Sequence, residues 1–79
     1  MYICKNINTI EENITKKLGL RIAKLRKERG WSQIEYASRC GISANYVGNI
    51  ERGEYNPTII VIEKLALGFN MTISELFKF

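Results

Sequence analysis

A connection of only three residues, 41–43, constrains the fold of this chain more than any other feature. It joins two short segments that carry signals of helix starts, because Ser32 and Ser43 stand before them and serine is a preferred N-cap residue. Gly41 can adopt the left-handed backbone conformation that commonly ends a helix. Two helices joined so tightly must cross steeply, so residues 32–52 are predicted to form a compact helical pair.

The residue types along this pair fit a close crossing of the two helices. Ala37 and Gly41 are small, which lets the helix backbones approach each other. Val47 and Ile50 are apolar and three residues apart, so they face the same side of the second helix, which Gly53 can end. This arrangement is typical of a helix-turn-helix motif.

A long helix is predicted before this pair, over residues 10–29. Thr9 and Glu12 have the spacing of a capping box at its start, and Gly30 can end it. Its apolar residues recur on one face, which is expected to pack against the rest of the domain. They are Ile10, Ile14, Leu18, Ile22 and Leu25.

The first residues of the chain hold a second apolar pattern. Ile3, Ile7, Ile10 and Ile14 alternate four and three residues apart, as in the seam of a coiled coil. The pattern covers only two heptads, so additional packing of the first helix and a short coiled coil are both open interpretations.

Capping signals also define the remaining helix starts. Ser32 and Glu35 have the spacing of a capping box, and Trp31 and Tyr36 stand at the positions of its hydrophobic staple. Each N-cap of this kind contributes about 1 kcal/mol. The start of the second helix is therefore well specified by local sequence.

Two further helices are predicted after the pair. One covers residues 59–69, with Thr58 as its N-cap and Asn70 in the left-handed position that ends it. Thr72 and Glu75 begin the last helix with the spacing of another capping box. The chain is therefore predicted to be all-α, with five helices.

The composition excludes several kinds of site. The 79 residues contain no His and only two cysteines, Cys4 and Cys40, so the four ligands of a zinc site cannot be assembled from them. The apolar setting of Cys40 favours a reduced, buried thiol over a disulfide. No segment has the roughly 18 consecutive apolar residues of a membrane span, and residues 1–7 lack the pattern of a secretory signal. A reduced, cytoplasmic protein without cofactors is expected.

Positive charge is concentrated in the middle of the chain. Residues 16–52 hold nine Lys and Arg against three Glu, whereas the remaining residues hold three Lys against five Glu. A basic face suggests contact with a polyanion such as nucleic acid. A solvated helix surface can carry the same charges, so charge alone leaves both interpretations open.

The outer side of the third helix is polar where a helical bundle would not require it. The residues opposite its apolar side are Ala44, Asn45, Gly48, Asn49 and Arg52. Glycine within a helix costs about 1 kcal/mol relative to alanine, so close approach by another surface would explain Gly48. Asparagine can form two hydrogen bonds with adenine in the major groove, and arginine can bind guanine or phosphate. A solvated polar face is the alternative interpretation.

The stretch GWSQIEYASRCGISANYVGNIERGEYNPT resembles the helix-turn-helix of the phage repressor and Cro superfamily, also called the XRE family. The segments LRKERG, IEKLA and ISELF extend the resemblance to about residues 18–77. The sequence departs from the family pattern at LALGFN. There Gly68 stands in place of a usual small helical residue and Asn70 in place of the capping glycine, in a region where many relatives dimerise.

The resemblance implies a compact five-helix, lambda-repressor-like domain, assigned to residues 10–79, with residues 1–9 as an N-terminal tail. It implies a homodimer that binds a short palindrome in double-stranded DNA. With the outer face described above, it assigns base contacts to Ala44, Asn45, Gly48 and Asn49, and phosphate contacts to Gln33, Ser43, Tyr46 and Arg52. The loop after Arg52 would also face the DNA backbone. Arg26 and Glu51 would form a structural ion pair.

These observations favour a sequence-specific transcriptional regulator of the repressor or controller-protein type. The alternative is an antitoxin or adaptor that uses the same fold mainly for protein–protein contacts, which would require an apolar patch in place of the polar face. An enzyme is not expected, because the chain has no His, no Asp and no nucleophile–base arrangement. No small-molecule substrate and no membrane contact are expected either.

Overall fold

In the computed structural model, the backbone is described from residue 3 to residue 79 and the side chains from residue 14 onward. This part of the chain is all-α, which confirms the predicted fold class. Its five helices are α1 (Ile3–Glu28), α2 (Gln33–Cys40), α3 (Ala44–Glu51), α4 (Ile59–Gly68) and α5 (Ile73–Leu76). None of these helices is both long and apolar enough to span a membrane.

Helix α1 begins seven residues earlier than predicted, at Ile3 instead of residue 10. Thr9 therefore lies within the helix, and its prediction as an N-cap is wrong. The sequence before Thr9 contains no Gly or Pro and keeps apolar residues at helical spacing, so nothing there interrupts the helix. The side chains of Cys4, Thr9 and Glu12 lie outside the described residues, and the division into a tail (1–9) and a domain (10–79) stays a prediction.

The other predicted N-caps are confirmed. In each case the hydroxyl oxygen accepts a hydrogen bond from the backbone N–H three residues later, over 3.0 to 3.3 Å; the four residues are Ser32, Ser43, Thr58 and Thr72. The capping box at the start of α5 is complete, because Glu75 also accepts from the Thr72 N–H. At α2 only the serine half forms: the carboxylate of Glu35 accepts instead from Arg39, one turn later, at 3.0 Å.

Left-handed residues end the helices where the sequence predicts them. Gly41 closes α2 with φ 77°, and its N–H bonds back to the carbonyl of Ala37 at 2.9 Å. Asn70 follows α4 with φ 58°, a conformation that asparagine tolerates better than most residues with a side chain. The substitution of Asn for the usual glycine thus preserves the turn between α4 and α5.

The core lies where α1, α2, α3 and α4 meet. Its buried apolar residues are Leu18, Ile22, Leu25, Tyr36, Ala37, Cys40, Val47, Ile50, Leu65, Ala66, Phe69 and Leu76. Ile14 belongs to the predicted apolar face of α1 but is 45% exposed, so the buried part of that face begins at Leu18. Trp31 and Tyr36 stack with ring centroids 6.2 Å apart, as their staple positions predict.

Helix α1 passes so close to α3 that only glycine fits at the contact. A Cβ atom on Gly19 would lie 2.6 Å from the carbonyl oxygen of Glu51 and closer still to that of Ile50. Both neighbours are backbone atoms at the end of α3, which cannot rotate away as a side chain could. The position of α3 relative to the core is therefore fixed in part by Gly19.

Candidate nucleic-acid interface

Helices α2 and α3 form the predicted helix-turn-helix. Ala37, Val47 and Ile50 are almost fully buried, with exposed fractions of 2% or less. The opposite side of α3 faces outward: Asn45 is exposed and Asn49 is half-buried. Because two apolar residues hold α3 against the core, its polar side remains accessible over most of the helix length.

An ion pair holds the end of α3 against α1. Arg26 donates to both carboxylate oxygens of Glu51, with Nε–Oε2 2.7 Å and Nη2–Oε1 3.0 Å. A third hydrogen bond runs from Nη1 of Arg26 to the carbonyl oxygen of Trp31 at 2.8 Å. The hydrogen bond to Glu51 raises the pKa of the Arg26 guanidinium, which therefore keeps its positive charge. The prediction that these residues form an ion pair is confirmed.

Gln33 extends this network to the start of α2. Its Nε2 donates to Oε1 of Glu51 at 2.9 Å, so the same carboxylate connects α1, α2 and α3. An amide nitrogen carries two hydrogens, which leaves a second donor for a phosphate oxygen. The phosphate contact of Gln33 stays a prediction, and the structure adds that the side chain is held in place before any ligand binds.

Gly48 does not lie open on the outer face, and the expectation that it does is wrong. The residue is buried, and a Cβ atom built on it would lie 3.2 Å from Nη1 of Arg52 and 3.6 Å from Oε1 of Gln33. The glycine was expected to permit close approach by another surface. The side chains of Arg52 and Gln33 occupy that space instead. The contact of Gly48 with a base stays a prediction.

Arg52 lies back along α3 and contacts two side chains. Its Nη2 donates to Oδ1 of Asn49, and its Nε donates to Oε1 of Glu54 at 3.0 Å. All three side chains are on the outer surface, so these bonds form part of the candidate interface. Neither contact was expected from the sequence, where Arg52 was assigned to phosphate and Asn49 to a base.

A shallow hollow of about 260 Å³ lies on the same face. It is lined by Ser43, Asn45, Tyr46, Asn49 and Tyr55. The first four were predicted from the sequence as DNA contacts, and the structure brings them together beside Tyr55. The resemblance assigned the loop after α3 to the DNA backbone as a whole. Tyr55 itself was not singled out, because no helical spacing connects it to the others.

The two tyrosines of the hollow pack edge to face, with ring centroids 4.7 Å apart. A hydrogen bond with Tyr55 raises the pKa of Tyr46 to about 12. The Tyr46 phenol is therefore neutral at physiological pH, and it places a hydroxyl group rather than a negative charge beside the polar residues of α3. This is compatible with an approaching polyanion.

Some of the basic residues contact other parts of the folded chain, and one of them lies near the end of α3. Some have partners within the protein: Arg21 donates to the last carbonyl oxygen of α5 at 3.1 Å, and Arg39 stacks on the Trp31 ring at 4.1 Å. Lys16 instead lies beside the loop that follows α3, because a Cβ on Gly53 would be 3.0 Å from its Cγ. The fold thus brings this residue of α1 next to the loop that follows the candidate interface.

The fold and the outward polar face of α3 define a helix-turn-helix domain of the DNA-binding class. The family model HTH_3, described as helix-turn-helix, matches residues 22–76 of the chain. The chain therefore belongs to this family, which confirms the resemblance noted from the sequence.

Similar proteins include control and regulatory proteins. Control protein C.MunI from Mycoplasma sp is 35% identical over 67 residues, which cover 84% of this chain and 90% of C.MunI. The uncharacterised HTH-type transcriptional regulator y4dJ of Sinorhizobium fredii is 38% identical over 64 residues, or 81% of this chain and 83% of y4dJ. The chain spans only 35% of the transcriptional regulator SutR of Escherichia coli, with 38% identity over 63 residues.

One similar solved structure is the restriction-modification controller protein C.AhdI from Aeromonas hydrophila. It superposes with a TM-score of 0.76 at 35% sequence identity, over 84% of this chain and 94% of C.AhdI. C.MunI and C.AhdI, which both match this chain over nearly their whole length, are thus named for control.

Proposed function

We propose that this protein is a transcriptional regulator that recognises a palindromic operator in double-stranded DNA as a homodimer. The observation that carries the proposal is the outward face of α3, where Asn45 and Asn49 lie beside Ser43 and Tyr46 around one hollow. An α-helix fits the major groove of B-DNA, and asparagine amides can distinguish base edges there. The similarity to the HTH-type transcriptional regulator y4dJ and to the control proteins C.MunI and C.AhdI supports this role.

The contacts in this proposal fall into two chemical groups. The base edges face Ala44, Asn45 and Asn49. Gly48 can contact a base only if the side chains of Arg52 and Gln33, which cover it, move aside. The phosphates face Gln33, Ser43, Tyr46 and Arg52, whose donors fix the register of the helix on the duplex. Because Glu51 already holds Gln33 and Arg26, the free protein presents α3 with little reorganisation needed.

Exposed apolar side chains on α4 support the homodimer. Ile59, Ile60 and Leu67 are 67%, 64% and 67% exposed, although the rest of this helix packs on the core. Leu67 also lines a groove with Ile73 at the start of α5. A two-fold dimer through this surface would bury these residues and would explain the recognition of a palindrome, because operator symmetry mirrors protein symmetry.

The dimer has a matched pair of test variants. Leu67→Glu places a charge in the proposed interface, whereas Leu20→Glu places one at an equally exposed residue of α1, 69% exposed. Sedimentation is expected to show a monomer for the first variant and a dimer for the second. Two dimeric variants would contradict an interface at Leu67.

DNA recognition is tested by selection from a randomised duplex pool. A palindromic consensus is expected, with an affinity that falls steeply with salt because phosphate contacts release counterions. A protein that enriches no sequence, or whose binding does not depend on salt, would contradict the proposal. An outcome of that kind, with a retained fold, would favour the antitoxin or adaptor role. The cytoplasmic location expected from the sequence stays a prediction.

A further inference from the structure

The contact between Arg52 and Asn49 determines which atoms of Asn49 face outward. A guanidinium has only N–H donors, so the atom of the Asn49 amide that meets Nη2 of Arg52 must be the oxygen, Oδ1. The amide nitrogen then lies on the other side of the group. The orientation of Asn49 is therefore set by a charged neighbour on its own helix, before DNA is present.

Two neighbours hold Arg52 in this position. The carboxylate of Glu54 accepts from its Nε at 3.0 Å, which directs the guanidinium back along α3. Gly48 leaves room for it, because a Cβ there would lie only 3.2 Å from Nη1. A carboxylate next to a phosphate-binding surface would repel the phosphates of DNA. Orienting Arg52 is a favourable role for Glu54 that offsets this repulsion.

An asparagine amide by itself suits adenine, because its oxygen accepts from N6 and its nitrogen donates to N7. When the positively charged guanidinium of Arg52 occupies the amide oxygen of Asn49, the amide presents its N–H donors instead. Further N–H donors of Arg52 lie beside them. Guanine offers two acceptors, O6 and N7, at the same edge of the major groove. A guanidinium next to Oδ1 also disfavours the approach of the N6 amino group of adenine.

We infer that Arg52 is a positioning residue that orients Asn49 to recognise guanine in preference to adenine. This inference rests on the proposed function, since it specifies a base for the face already assigned to DNA. Glu54 and Gly48 contribute by keeping the guanidinium against α3. The guanidinium has five N–H donors, and the bonds to Asn49 and Glu54 do not use all of them. Arg52 can therefore orient Asn49 and bind a phosphate oxygen at the same time.

The binding test uses the duplex selected by the parent protein. The base pair recognised by Asn49 is the one whose preference disappears in Asn49→Ala. At that position the parent is expected to prefer guanine over adenine by roughly 10-fold, the discrimination of one good pair of hydrogen bonds. Arg52→Ala is expected to reverse the preference towards adenine, whereas Lys24→Ala, which removes one charge from an exposed residue of α1, keeps it.

A base analogue separates major-groove recognition from a general loss of affinity. Replacing that guanine by 7-deazaguanine removes the N7 acceptor, so it should weaken the parent protein and leave Asn49→Ala unaffected. A parent preference for adenine at this position, or a guanine preference that survives in Arg52→Ala, would overturn the inference while leaving the proposed function intact.

The contact is also tested without DNA. In NMR spectra of the free protein, the side-chain N–H signals of Arg52 are expected to show restricted rotation that is lost in Asn49→Ala and in Glu54→Ala. Equal mobility in all three proteins would refute the positioning of Asn49 by Arg52. Failure of the duplex selection would instead remove the proposed function and the base assignment together, whatever the NMR result.

Discussion

Gly19→Ala tests how closely α1 packs against the helix proposed to enter DNA. The added methyl group would meet the carbonyl oxygens of Ile50 and Glu51, the latter at 2.6 Å, whereas ordinary contacts begin near 3.4 Å. These are backbone atoms of α3, so the clash can be relieved only by moving that helix away from α1. The variant is therefore expected to affect both stability and the position of α3.

The magnitude is the balance of two opposing terms. Alanine is favoured over glycine in a helix interior by about 1 kcal/mol. Overpacking a close contact costs about 1–3 kcal/mol and lies at the upper end here, because the neighbours are rigid. The net expectation is a loss of about 2 kcal/mol. For a domain of this size that corresponds to a fall in Tm of roughly 8–16 °C.

The assay is thermal and urea unfolding of Gly19→Ala beside Leu20→Ala. Leu20 is the adjacent residue of α1 and is 69% exposed, so its truncation should change stability by no more than about 0.5 kcal/mol. The duplex affinity of folded Gly19→Ala should also fall, because α3 is displaced. If Gly19→Ala were as stable as the parent or more stable, the close packing of α1 on α3 would be refuted.

Three contacts elsewhere in the domain give further predictions. Gly68→Ala should destabilise by about 1–3 kcal/mol, because its Cβ would lie 2.5 Å from Sγ of Cys40, and adding Cys40→Ala should restore part of the loss in urea unfolding. Tyr36→Phe should cost about 1–2 kcal/mol in the same assay, since the buried hydroxyl donates to a carbonyl of α4 at 2.6 Å; an unchanged midpoint would contradict this. The N–H and hydroxyl of Thr72 hold the pKa of the Glu75 carboxyl below its usual value. The stabilisation that the ionised carboxylate gives is therefore complete above about pH 4.3, and it is lost as pH falls through the lowered folded-state pKa. Glu75→Gln should therefore show a shallower loss of stability on acidification than the parent, and identical pH profiles would argue against it.

Helix boundaries were predictable wherever a local signal determines them. The Ser43 cap and the left-handed Gly41 each depend on residues within one turn, so the sequence alone locates the helix-turn-helix. The same local reasoning misplaced the start of α1, because a threonine and a glutamate at capping-box spacing can also stand within a helix. Continuous helical spacing on both sides of Thr9 was the stronger signal.

The candidate site was only partly predictable. Asn45 and Asn49 follow from helical spacing, and the pairing of Arg26 with Glu51 followed from the family resemblance. The positions of Tyr55 beside Tyr46 and of Lys16 beside Gly53 did not, since both depend on tertiary contacts.

Gly48 shows the limit of spacing arguments most clearly. Its helical position places it near the outer side of α3, yet the side chains of Arg52 and Gln33 cover it. The direction of a long, charged side chain depends on the hydrogen-bond partners within its reach. For Arg52 these partners are Asn49 and Glu54. Such directions depend on side-chain contacts in the folded domain and leave no periodic pattern in the sequence.

The central claim is that the outer face of α3 recognises bases, and the most direct measurement is a base-pair scan of the selected duplex with the parent and with Asn45→Ala. Asn45 is exposed, and neither the core nor the Arg26–Glu51 network depends on it. The variant is expected to lose about 1–3 kcal/mol of discrimination at one base pair in each half-site, with preferences elsewhere unchanged. An equal loss of affinity at every position, with no change in base preference, would contradict the claim.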